Sequence, residues 1–137
     1  MKKLIVFLFP FISFAQIDNV KLQQDFVKEL NVYRASKGLK PVSINKDNNI
    51  KAERQAKYCS SISTLTHDYP EFKGVYAECA LFQTTIPTAK NFLNVWINSL
   101  GHNKLLLLPE VTSIGIYYVS GLNNNHTGYY AVLVLSP

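Results

Sequence analysis

The chain has almost nothing with which to staple itself together. Its 137 residues include only two cysteines, Cys59 and Cys79. That excludes the dense disulfide framework of small secreted scaffolds, so the fold rests on an apolar core, which a chain of this length can bury. Runs of Lys and Arg are also lacking. The formal net charge is +5, but the basic residues are scattered, which excludes a nucleic-acid arm and leaves the charge as a matter of solubility. There is no internal repeat and no low-complexity linker, and the length supports one domain. The N-terminal apolar run from Leu4 to Phe14, broken by Pro10 and Ser13, falls short of the roughly 20 residues that a membrane-crossing helix needs.

What that run does resemble is an export signal. Lys2 and Lys3 form a basic start, and Ser13-Phe14-Ala15 puts small residues where a signal peptidase reads. We therefore expect a signal peptide over 1–15, cleavage before Gln16, and a single domain over 16–137. Loss of Lys2 and Lys3 lowers the net charge from +5 to +3. The expected location is secreted, extracellular or periplasmic, with no membrane span after cleavage, no nucleic-acid partner and a monomeric state. Export permits a Cys59–Cys79 disulfide, closing a loop of about 20 residues worth roughly 3 kcal/mol. Two buried free thiols are the alternative, and the sequence leaves both open.

Periodicity places the elements. A first helix is expected over Val20–Lys37, capped by Asp18 or Asn19 and ended by Gly38, with Phe26, Val27, Leu30 and Tyr33 on its apolar face. A second runs from after Asp47 to about Ser61, with a narrow face of Ile50, Ala52, Ala56 and Cys59. Ser60 to Gly74 is polar and irregular, and Val75–Phe82 reads as a strand. A third helix begins near Pro87 and buries Ala89, Phe92, Leu93, Trp96 and Leu100. Ser113–Ser120 and Gly128–Leu135 form a hairpin around Gly121–Asn125, and of the paired Tyr117, Tyr118, Tyr129 and Tyr130 one member of each pair should face the core and the other a surface. The order predicts an α+β fold: a three-layer α-β-α sandwich with a small, mostly antiparallel central sheet.

Short chemical motifs are missing too. There is no His-x-x-x-His and no Gly-x-Ser-x-Gly, so Ser99 near His102 reads as a helix-end residue. Three residues stand out by position instead: His67 in the irregular segment, Glu78 inside an apolar strand, and His102 just past the third helix. A carboxylate in such a strand is costly unless paired, and imidazole is a suitable partner. Two imidazoles and a carboxylate are also a donor set for zinc with an open water position. The plainer alternatives are loop histidines satisfied by backbone or water and an outward-facing Glu78. His126 reads as solvated, and Asn125-His126-Thr127 matters only where N-glycosylation operates.

Several segments together resemble the CAP/SCP family, whose members include cysteine-rich secretory proteins, antigen 5 and pathogenesis-related proteins, and in particular its short bacterial type. These are Asn31-Val32-Tyr33-Arg34-Ala35 with Gly38-Leu39-Lys40-Pro41-Val42, then Ala77-Glu78-Cys79-Ala80, Trp96 to Leu106 including Ser99-Leu100-Gly101-His102, and Ile114-Gly115-Ile116. The resemblance covers roughly residues 22 to 135. It implies an α-β-α sandwich with a central cleft where two histidines and two acidic residues meet, and His67, Glu78 and His102 match three of those positions.

The fourth departs from the pattern. The second acid of the family falls on the helix around Trp96, which offers Asn94, Asn98 and Ser99 instead. Asn hydrogen-bonds but is no general base near neutral pH. The expected function is therefore a secreted, non-catalytic binding module with a cleft lined by His67, Glu78 and His102, flanked by Asn98 and Ser99. Its ligand would be a lipid, glycan, peptide or protein. The alternative is a zinc-dependent hydrolase in which His67 and His102 hold the metal and Glu78 ligates it or activates water.

Overall fold

The computed structural model describes residues 18–70 and 75–137, so the expected signal segment 1–15 lies outside the described residues. The elements are α1 (Asn19–Ser36), β1 (Ser43–Ile44), α2 (Lys46–Ile62), β2 (Ala77–Gln83), α3 (Ala89–Ile97), α4 (Leu100–Leu106), β3 (Ser113–Asn123) and β4 (His126–Ser136). The sheet order is β1-β3-β4-β2. β4 runs antiparallel to both β3 and β2, and the two-residue β1 joins β3 in parallel. The fold is thus α+β with a mixed, mainly antiparallel sheet between helical layers, as expected.

Local chemistry sets most boundaries. The Asp18 side chain accepts from the Lys21 amide at the start of α1, and Gly38 (φ 73°) turns the chain away from its end. Asn45 caps α2 and Thr88 caps α3 through their side chains. The Asn31 carboxamide holds both the N–H and the C=O of Val42 at 2.8 and 2.9 Å, fixing the chain that crosses to β1. Arg34 is fully buried, with no acidic partner among the described residues. Its guanidinium donates to the carbonyls of Lys40, Leu106, Leu108 and Val111, tying α1 to the chain that leaves α4.

Strand alternation separates two cores. Towards α1, α3 and α4 lie Cys79, Leu81, Ile114, Ile116, Leu133 and Leu135, packed on Phe26, Leu30, Phe92, Trp96 and Leu106. Towards α2 lie Ala80, Val132 and Val134, packed on Ala52 and Ala56. The approach of α2 to β3 is close enough that a Cβ on Gly115 would stand 2.1 Å from the backbone of Asn48 and Asn49. That contact is why glycine sits between Ile114 and Ile116.

Two expectations are corrected. The third helix does not continue through Leu100, which is 76% exposed and opens the separate helix α4. The Asn98 carboxamide bonds back to the Asn94 carbonyl and the Ser99 amide to the Trp96 carbonyl, which closes α3. His102 therefore lies within a helix, not past one. The hairpin turn is also tighter than Gly121–Asn125. The strands stay paired to Asn123↔His126, and only Asn124 and Asn125 turn, both left-handed (φ 47° and 64°), as a two-residue hairpin connection requires. Within each tyrosine pair, Tyr118 and Tyr130 are buried, while Tyr117 and Tyr129 are half-buried.

Candidate functional site

The histidine that follows α2 is held by the helix itself. Gln55, buried in α2, donates from Nε2 to the carbonyl of Thr66 at 2.5 Å, and the Cys59 thiol bonds the same oxygen at 3.3 Å. Thr66 Oγ1 in turn accepts from the Asp68 amide. His67 is thus fixed from both sides while its side chain stays 60% exposed. Its Nδ1 lies 2.7 Å from Oε1 of Glu78. Glu78 projects from β2 on the face that carries Ala80 and α2, and its side chain is only 11% exposed. Burial pushes the Glu78 carboxyl above its ordinary range, and His67 only partly offsets this.

His102 approaches from α4. Its Nδ1 lies 2.8 Å from Ser99 Oγ, the hydroxyl at the start of the same helix. Ser99 makes no side-chain cap bond to the backbone, so its hydroxyl serves the imidazole. Burial lowers the pKa of His102, and the charge of His67 lowers it further. The two imidazoles therefore share one electrostatic neighbourhood, bounded by the α2–β2 loop, β2 and α4. Asn98, by contrast, is spent on its own helix end, and Asn94 is exposed.

Each histidine has Nδ1 engaged, leaving Nε2 as the ring nitrogen for other work. Such anchoring is common behind metal-binding imidazoles. A catalytic zinc, however, takes three protein ligands, and Glu78 Oε1 is committed to His67. Among the described residues no three His, Cys, Asp or Glu side chains are grouped so as to hold a metal ion.

The two cysteines take one of the two states that the sequence left open: both are free and buried. Cys59 faces the Thr66 carbonyl, whereas Cys79 points through the sheet into the α1/α3 core, between the oppositely directed Glu78 and Ala80. A bridge would have to pass through the sheet. Burial, with the charge of Glu78, raises both thiols, and Cys79 is pushed up to about 12.

Beside the His67–Glu78 pair opens a cavity of about 390 Å³, lined by Lys51, Gln55, His67, Val75, Tyr76, Ala77 and Glu78. Tyr76 is 52% exposed, and its hydroxyl donates to Glu110 Oε1 at 2.6 Å, tying the start of β2 to the α4–β3 loop. Sequence reasoning did not find Lys51, Gln55 or Tyr76. Gln55 left a trace, as a polar residue on the Ala52-Ala56-Cys59 face; Lys51 and Tyr76 left none.

Among the described residues no helix is long and apolar enough to cross a membrane. No curated protein matches the sequence. Solved structures do share the fold. An outer surface protein from Borrelia burgdorferi is 18% identical with a TM-score of 0.68, covering 88% of this chain and 96% of its own. An extracellular protein containing an SCP domain, from Bacillus anthracis, is 18% identical with a TM-score of 0.63, over 86% of this chain and 41% of its own. A cysteine-rich secretory protein from Staphylococcus aureus is 20% identical with a TM-score of 0.62, over 88% and 40%. The sequence model of the cysteine-rich secretory protein family, CAP, matches residues 27–135. With that match spanning most of the chain, this protein belongs to the CAP family.

Proposed function

We propose that this protein is an exported, monomeric binding module whose cleft, edged by His67, Glu78 and His102, holds a ligand without transforming it. The observation that carries this reading is the pairing of Glu78, the cavity's carboxylate among the described residues, with an imidazole. Glu78 is paired to His67 at 2.7 Å, and where a second acid would stand, Asn98 is bonded into its own helix end. Hydrolysis needs an activated nucleophile or water with a base in reach. Ser99 bonds His102, but no carboxylate orients that imidazole among the described residues. The extracellular and outer-surface character of structural relatives supports export.

The test is native mass spectrometry of protein purified from its own compartment, beside His67→Ala and Glu78→Gln. We expect a co-purifying molecule to be retained unchanged by the parent protein and lost from the variants. Turnover of that molecule, abolished by His67→Ala, would overturn the reading in favour of the zinc hydrolase. Zinc titration followed by calorimetry gives an independent check, with no saturable heat expected.

A further inference from the structure

We infer that the cavity beside the His67–Glu78 pair is a subsite for one neutral, polyhydroxylated ring, a pyranose residue of a glycan. This rests on the binding reading of the cleft and names the class of ligand. Charge comes first. Among the described residues the wall carries one cation, Lys51, and one carboxylate, Glu78. A ligand of either net charge meets a like charge as well as an opposite one, whereas a neutral ligand bearing donors and acceptors satisfies both.

The polar groups alternate in kind. Lys51 only donates. Glu78 Oε2 accepts and has no partner among the described residues, since His67 takes Oε1. Gln55 has its Nε2 committed to Thr66 and Cys59, which fixes the carboxamide and leaves Oε1 as its acceptor. Ring hydroxyls, each donor and acceptor at once, match such a set.

The apolar part of the wall has the shape of a platform. The Tyr76 ring is half exposed at the cavity and pinned through its hydroxyl to Glu110. A pinned aromatic ring offers contact area at little entropic cost, and the C–H face of a sugar is a fitting partner. Among the described residues, the lining beyond that ring is apolar only at Val75 and Ala77, too little to cover an acyl chain. A volume of about 390 Å³ lies at the small end of ligand sites, roughly 300–1,000 Å³, which suits a single ring.

The test is ¹H–¹⁵N correlation NMR of the exported chain titrated with methyl β-glucopyranoside and methyl β-N-acetylglucosaminide. Laurate serves as the apolar control. Saturable shifts at millimolar glycoside, centred on Lys51, Gln55 and Val75 to Glu78, are expected. Lys51→Ala and Tyr76→Ala, checked for folding by circular dichroism, should each weaken binding by about tenfold, the worth of one good polar contact or stacked ring. Tyr76→Phe keeps the ring but frees it from Glu110, and should fall between. Absence of shifts with both glycosides, or shifts only with laurate, overturns the inference. If a co-purifying ligand is still retained in that case, the binding reading survives alone. Glycoside binding followed by hydrolysis would uphold the subsite and overturn the non-catalytic reading.

Discussion

On one face of the sheet, α1, α3 and α4 set Phe26, Leu30, Phe92 and Trp96 against Ile114, Ile116, Leu133 and Leu135. On the other, α2 sets Ala52 and Ala56 against Ala80, Val132 and Val134. The first face gains stability by burying large side chains. The second gains close approach, with helix backbone almost touching strand backbone at Gly115. Its buried polar residues, Asn48 and Gln55, are both on α2. Glu78 and the cavity lie on that same side. The division teaches that the large-residue face holds the domain together while the small-residue face leaves room for a polar site.

The edges of the sheet repeat the contrast. Past the two-residue β1, the outer edge of β3 is closed by amide side chains. Asn19 holds the N–H and C=O of Tyr118, while Asn49 and Gln23 take the N–H and C=O of Ile116. Covering an edge in this way guards against unwanted strand pairing. β2, at the opposite end of the sheet, borders the cavity instead.

The most damaging break in this comparison is Gly115→Val. Its added carbons would overlap the Asn48–Asn49 backbone, and we expect a loss above about 4 kcal/mol or outright failure to fold, read by urea denaturation. On the other face, Trp96→Ala empties a site packed by Phe26 and Phe92. It should cost about 3–5 kcal/mol in the same assay, with the fold retained. If Gly115→Val proved the milder of the two, the idea that close approach governs the α2 face would be wrong. Next comes Arg34→Met, which strips four carbonyls of their donor. A loss of about 2–4 kcal/mol is expected, since buried acceptors left unpaired carry a desolvation cost.

The cleft should show smaller, pH-dependent effects. Glu78 has its pKa raised above its ordinary 4.5 by burial. Its contribution to stability is therefore present in acid and lost as pH rises from 4.5 through the raised value. Melting temperatures measured across that range should lose this decline in Glu78→Gln. His102 behaves oppositely. Its pKa lies below the ordinary 6.5, so its contribution is present above 6.5 and lost as pH falls through the lowered value, a slope that His102→Asn should remove. The smallest effect concerns the thiols: a reductant should leave the melting temperature unchanged, because Cys59 and Cys79 stand on opposite sides of the sheet.

Much of this architecture is written locally. The Asp18 cap, the Gly38 stop, the narrow alanine face of α2 and the paired β-rich segments around the asparagine turn all depend on neighbours a few residues apart. So does the oddity of Glu78 in an apolar strand, which called for an imidazole partner; the structure supplies His67. The end of α3 at Asn98 was harder to see, because Leu100 keeps the helical spacing of its buried face yet turns outward.

By itself, then, the sequence determined the kinds of element and their order, since periodicity, capping and turn chemistry act over one or two helical turns. Only the tertiary structure decided that Cys59 and Cys79 are kept apart by the sheet and that Lys51, Gln55 and Tyr76 meet around one cavity. Those outcomes depend on strand register and on which side of the sheet a helix lands. They are set by packing between residues distant along the chain, where a shift of one position reverses every facing side chain.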